Sequence, residues 1–448
     1  MRSTRTLILG GGLAGLSTAR HLGRRGDWLL VEKEDKVGGR AGSVRVQGFT
    51  FDHTGHLLHL HDPQGKRLIL GLLAGNSAPH ERSSWIRSHG TCTRYPFQAN
   101  TYGLPERVTA ECVAGFMKNV HRPQPMGAAP SFEEWCLKTF GKGICRHFMF
   151  PYNRKLWRRP LSELTTEWQG RFLPKPTAEE VLYGALTDQR KFFGYNAFFR
   201  YPLRGGIQAL PDAMAEGLSG IRVRSRVVSV DLRERVACVQ GLGEVRYERL
   251  VNTLPLPEFL DLAGPLPGKV REARKKLRWV SVLNLNLGVA RPRVSDKHWI
   301  YFPEPGFVFY RVGFCSNFSK TAAPPGTSSM YIEVARGPRE RADKAELERL
   351  CLRGLKSCGI LKDSDKLAAR LWIDIPCAYV VYDRQRPAAL AAIFRHLSSN
   401  GVESIGRWGA WKYSFMEETI LDGRSCALRL LGRSARKSVP QAPLVPLR

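Results

Sequence analysis

Thr6-Leu7-Ile8-Leu9-Gly10-Gly11-Gly12-Leu13-Ala14-Gly15 is the stretch on which the fold turns. Its apolar opening predicts a strand, and Leu16 to Leu22 continue with helical spacing. After Gly26, Trp28-Leu29-Leu30-Val31 forms a second apolar run ending at Glu32. Strand, glycine turn, helix, strand and terminal acid make the βαβ fingerprint of a dinucleotide-binding fold. Gly10 permits the tight turn, Gly12 lets a pyrophosphate approach the backbone, and Gly15 lets the helix pack close to the strand. The helix N-terminus then turns its positive dipole end toward the phosphates. Glu32, with Lys33 beside it, is placed to accept ribose hydroxyls.

Working outward, Lys36-Val37-Gly38-Gly39-Arg40-Ala41-Gly42-Ser43 follows after a short loop. A second glycine pair with an arginine resembles the flavoproteins of the amine-oxidase and glutathione-reductase class. The resemblance implies FAD, with Gly39 and Arg40 also meeting the pyrophosphate.

The chain has 448 residues and a formal charge of +29, with 43% hydrophobic and 10% aromatic residues. That composition fills a substantial core and excludes a wholly disordered chain. The length predicts two or three domains, or one large domain with insertions. No apolar run approaches the ~20 residues that cross a bilayer, and Leu7-Ile8-Leu9 is cut off by glycines before it can serve as a secretory segment. Ten cysteines without a CxxC read as free thiols of a cytoplasmic enzyme. The positive charge reads first as solvated faces and second as a field drawing an anionic small substrate. No nucleic-acid-binding motif accompanies it. Possible homo-oligomerisation is left open by the sequence.

The expected class is α/β: an FAD-binding Rossmann-like βαβ domain with an inserted helical bundle and an antiparallel β-sheet layer. Residues 1–80 are expected to form the FAD-binding part, 81–103 the first strands of a substrate sheet, and 104–194 the helical insertion. In that insertion Ser131 caps a helix and Glu134 is positioned to reach back in a capping box. Residues 195–255 return to the sheet and FAD domain, with strands at Val223 to Val230 and at Leu250 to Thr253. Residues 256–400 supply the antiparallel substrate sheet, including Tyr331 to Val334, and 401–433 close the FAD domain with a helix. Residues 434–448 are expected to be a disordered basic tail.

Several further blocks are Phe51-Asp52-His53-Thr54-Gly55-His56, Tyr95-Pro96-Phe97-Gln98, Pro151-Tyr152-Asn153-Arg154-Lys155-Leu156-Trp157, Trp299-Ile300-Tyr301, Phe309-Tyr310-Arg311 and Gly406-Arg407-Trp408. Together they resemble the UDP-galactopyranose mutases, isomerases that interconvert ring forms of UDP-galactose with FAD. The resemblance implies a UDP-hexose substrate. Tyr95, Phe97, Gln98, Asn153 and Trp157 match the uridine pocket, and Asn196 falls near the sugar-phosphate. Arg311 matches the diphosphate clamp, where a guanidinium fork suits phosphate oxygens. Tyr301, Tyr379 and Tyr413 match the hydroxyls around it. Gly55, His56, Arg407, Met416 and Glu417 match flavin-contacting positions, and His56, Arg311 and Arg171 the catalytic ones.

The same resemblance implies a mechanism in which reduced FAD attacks the anomeric carbon through N5 while UDP leaves. NAD(P)H or another reductant then keeps the flavin reduced. Three positions depart from the family pattern: Phe172 where an arginine is expected, with Arg171 one step early and facing away if the segment is a strand, Phe318 for a tyrosine, and Phe415 for an aspartate. Each adds apolar surface, which points to a sugar other than plain galactose. A flavin oxidoreductase of the amine or protoporphyrinogen oxidase type is the alternative. His53, His56, His59 and His61 lie too unevenly for one helical face and lack accompanying carboxylates or thiols, so no metal site is expected.

Overall fold

The computed structural model describes residues 2–23 and 26–432, apart from the side chain of Arg171. The expected tail lies outside the described residues. Strand β1 (Arg2–Leu9), helix α1 (Leu13–Leu22) and strand β2 (Trp28–Val31) follow each other as the spacing predicts. All four residues of β2 are buried, which is why the run reads as continuously apolar. β1 lies between β2 and the strand Gly243–Asn252, parallel to both, with Leu7 opposite Leu29 and Leu250. That long strand carries the returning segment expected at residues 250–253. Val402–Ser404 adds in parallel beside its end, so the C-terminal part of the chain rejoins the nucleotide sheet. The strand expected from Val223 begins only at Val227, because Arg224 adopts a left-handed φ of 53° that interrupts an extended run.

A second, seven-stranded sheet runs in the order Leu367–Val380, Trp279–Val289, Ser328–Arg336, Arg311–Gly313, Trp299–Tyr301, Ser84–Ser88 and Thr91–Arg94. It is antiparallel as expected except between Trp299–Tyr301 and Ser84–Ser88, which pair in parallel. The two partners come from distant chain segments, so no hairpin constrains their direction.

Helices Glu106–His121, Phe132–Ile144, Phe150–Trp157 and Ala178–Leu186 pack as the inserted helical layer. Ser131 does cap its helix, accepting from the Glu134 N–H at 3.2 Å. The Glu134 carboxylate goes instead to Lys138 at 2.6 Å. One large core cluster joins Leu7, Leu29 and Leu250 of the nucleotide sheet to Phe132, Trp157 and Val280 of the other layers. All ten cysteines are unpaired. No helix among the described residues is long and apolar enough to cross a membrane.

Candidate active site

A cavity of about 640 Å³ runs from the glycine loops to the second sheet. At its first end Gly10 takes φ of +101°, and a Cβ on Gly15 would stand 2.0 Å from the Gly10 carbonyl oxygen. Strand and helix therefore meet backbone to backbone. A Cβ on Gly12 would meet nothing within 4 Å, so the space over the α1 N-terminus is open to a ligand. The second loop docks on the first: Gly38 N–H donates to Gly11 O at 2.8 Å. Glu32 is buried against this loop; one carboxylate oxygen accepts from Gly11 N–H at 2.7 Å and the other from Glu34 N–H at 2.9 Å. It thus braces the glycine turn, a role additional to the expected ribose contact. Lys33 is exposed and stands 4.0 Å from Glu258. Arg40 lines the cavity, and burial lowers its pKa. Open helix N-terminus, glycine cradle and bracing acid fit a dinucleotide such as FAD.

Gly55, His56, Arg407 and Met416 line the other half of the cavity. Burial first, then the nearby His53, lowers the His56 pKa to about 3, so its imidazole is neutral. Arg407 donates to Ser414 O and, at 3.2 Å, to Ala378 O, and its guanidinium lies 4.8 Å over the Tyr413 ring. The helix Met416–Leu430 aims its start into the cavity, with Phe415 at the N-cap. Glu417, expected at the flavin, is placed elsewhere. Its buried carboxylate accepts the N–H groups of His61 and Asp62 at 2.9–3.2 Å, tying two helix starts together.

Arg311 reaches the cavity from the second sheet, where register sets it opposite Glu333. The pair is bidentate, 3.0 Å at Nε and 2.6 Å at Nη2, and Glu333 is fully buried. Glu333 was not anticipated, because only strand register brings it to the arginine. Tyr310 and Tyr379 approach at 3.5 Å between hydroxyls, and the Tyr379 and Tyr413 rings stack at 6.5 Å. Burial pushes the Tyr413 hydroxyl up to about 12 and raises that of Tyr379.

Tyr95, Asn196 and Tyr301 do not line this cavity. They gather around Arg82, whose guanidinium lies 4.5 Å over Tyr95 and donates to Asn196 Oδ1; Tyr95 and Tyr301 are 5.5 Å apart. Tyr152, quoted in its sequence block but given no role, bridges Tyr301 at 5.5 Å and Tyr310 at 6.3 Å. Phe97, Gln98, Asn153 and Trp157, matched to the uridine pocket, are all buried and form no open shelf. Phe97 stacks on Phe148 at 5.1 Å, and Asn153 Oδ1 accepts from Trp157 Nε1 at 3.2 Å. Gln98 donates to Pro174 O at 2.8 Å, while its buried Oε1 has no protein partner.

Residues Gly170–Phe172 form a 3₁₀ turn and not a strand, so the alternation argument for Arg171 does not apply. The Arg171 side chain lies outside the described residues. Phe172 and Phe415 line the cavity, whereas Phe318 packs inward against Tyr201 at 4.9 Å and Phe199 at 5.8 Å. Among the described residues no group of three His, Cys, Asp or Glu could hold a metal ion.

The family model for flavin containing amine oxidoreductases matches residues 13–431. A crystal structure of reduced UDP-galactopyranose mutase is 27% identical, with a TM-score of 0.90 and 96% of each chain covered. A protein from Exiguobacterium sp. 255-15 named for protoporphyrinogen oxidase is 15% identical at a TM-score of 0.73, covering 97% of this chain and 100% of that one. A putrescine oxidase double mutant is 16% identical at 0.67, covering 96% and 100%. The last two likenesses concern the fold alone. Glycine cradle, bracing acid and matched length lead to one conclusion: the chain belongs to the flavin containing amine oxidoreductase family, an FAD fold it shares with UDP-galactopyranose mutase.

Proposed function

We propose that the protein is a flavin-dependent mutase interconverting the pyranose and furanose forms of a UDP-hexose. The observation that carries this reading is one cavity joining the glycine loops to Arg311 and the tyrosine hydroxyls. Reduced FAD, when bound, would supply N5 as a nucleophile toward the anomeric carbon, with NAD(P)H or another reductant upstream. The chain's own part is to hold the leaving diphosphate. Arg311 spends one edge of its fork on Glu333, and its remaining N–H groups are free in number to meet phosphate oxygens. With hydroxyl pKa values raised by burial, Tyr379 and Tyr413 stay protonated at neutral pH and act as hydrogen-bond donors. The N-terminus of Met416–Leu430 favours negative charge at the flavin end of the cavity. The nucleoside side would then lie toward Arg82, around which Tyr95, Tyr301 and Asn196 gather beyond the cavity lining.

The family match favours a second reading, an FAD oxidoreductase. One experiment separates the two. Dithionite-reduced protein is incubated anaerobically with UDP-galactose and the sugars are resolved by chromatography. A new isomer at unchanged redox state supports the mutase. Stoichiometric oxygen consumption on an amine or porphyrinogen, with no isomer formed, supports the oxidoreductase.

A further inference from the structure

Arg82 stands just before the strand Ser84–Ser88 and is half-buried. Its guanidinium lies 4.5 Å over the Tyr95 ring, donates to Asn196 Oδ1 and donates to Phe193 O at 2.9 Å. A ring face, an amide oxygen and a carbonyl all suit a cation, yet none of them carries a charge. Among the described residues Arg82 has no carboxylate partner. Two N–H groups are engaged in this way, and a guanidinium has five. The group is fixed in place, and its charge is left for something else to meet.

Strand register relates Arg82 to Arg311. Tyr301 pairs with Arg311 across antiparallel strands, so the two side chains share one face of the sheet. Tyr301 meets Tyr95 at 5.5 Å, and Arg82 lies over the Tyr95 ring. The two guanidinium groups therefore flank the Tyr301–Tyr95 pair. Arg82, Tyr95, Asn196 and Tyr301 are all half-buried, whereas Phe97, Gln98, Asn153 and Trp157 are buried. The cavity is close by. Its lining residue His59 has a pKa lowered to about 4, by burial first and in smaller part by His61 and the Arg82 charge. The two cations differ in net charge, because the buried Glu333 offsets Arg311 and nothing comparable offsets Arg82.

We propose that Arg82 binds the phosphate attached to the nucleoside, leaving Arg311 the phosphate that carries the sugar. The proposal rests on the UDP-hexose reading above. Each phosphate of a sugar nucleotide carries a negative charge, while the Arg311–Glu333 pair is neutral as a whole. A second, unpaired cation supplies the missing balance. Its fork can meet two phosphate oxygens at once.

The test is calorimetry of UMP and UDP on the oxidised, FAD-loaded protein at low and high salt. Arg82→Gln is expected to weaken both nucleotides by at least about tenfold, the usual loss for a hydrogen bond to a charged group. Binding to Arg82→Gln should also depend less on salt than binding to wild type, because one charge pair is gone. Arg82→Lys keeps the charge and loses the fork, so it should restore the salt dependence at an intermediate affinity. Affinities within about twofold of wild type in Arg82→Gln, or UDP weakened with UMP spared, overturn the assignment while the nucleotide reading stands. Weakened binding with unchanged salt dependence also overturns it, since that marks a role confined to holding Asn196 and Phe193. If UDP does not bind the wild type, the nucleotide reading falls and the Arg82 assignment with it.

Discussion

Replacing Glu333 with glutamine probes how the diphosphate end is charged. Glu333 is fully buried and the Arg311 side chain is 19% exposed, so the two oxygens at 2.6 and 3.0 Å are the near countercharge of a largely enclosed guanidinium. Removing one partner of a buried pair costs about 3–5 kcal/mol because the other charge is left uncompensated. Arg311 also faces the cavity, where water enters, which brings the expectation for Glu333→Gln down to about 2–3 kcal/mol. Glutamine keeps the shape and one acceptor, so packing loss adds little. Urea unfolding of the FAD-loaded protein reads the cost. UDP should then restore part of it, since its diphosphate supplies the missing charge, and ligand binding to the folded state stabilises in proportion to the logarithm of saturation. Calorimetry should show the variant binding UDP at least threefold more tightly than wild type, about 0.65 kcal/mol. A variant within about 0.5 kcal/mol of wild type in stability, with unchanged UDP affinity, would refute both the buried pair and the diphosphate clamp.

Glu32→Ala removes the acceptor of two backbone N–H groups beside the cofactor cradle, so FAD should dissociate at least about tenfold more readily, followed by flavin fluorescence; retention as tight as wild type would show that the acid does not brace the loop. Gly15→Ala places a methyl 2.0 Å from Gly10 O, and the forced separation of α1 from β1 should destabilise by about 2–3 kcal/mol and give colourless protein. Asp52 is buried and its carboxyl is raised to about 6, with Ser43, Tyr201 and Ile207 donating to it in opposition. Because the folded pKa lies above the ordinary carboxylate value, its contribution is largest below about pH 4 and is lost as pH rises through 6. The difference is about 3 kcal/mol, and urea unfolding across that range should show a shallower slope in Asp52→Asn.

The nucleotide half was legible because its constraints are local. A glycine that must admit another backbone, a helix that must start at a turn and an acid that ends a strand all sit within a few residues of each other, and β1, α1 and β2 form as their spacing predicts. Ser131 was readable as a cap for the same reason, though Lys138, one turn on, took the Glu134 carboxylate. The other half depends on which distant segments meet. An aromatic residue looks the same in sequence whether it lines a cavity or fills a core: Phe172 and Phe415 face the cavity, while Phe318, Phe97 and Trp157 are buried in the interior. Glu333 becomes the partner of Arg311 only through the register of two antiparallel strands, and Arg82 joins Tyr95 and Asn196 only when three segments converge. Residue type and spacing determine turns, caps and strand starts, because those energies act over one or two turns of chain. Which charges pair and which rings face a ligand was decided by the tertiary structure, because desolvation and close packing act between surfaces that sequence neighbours do not share.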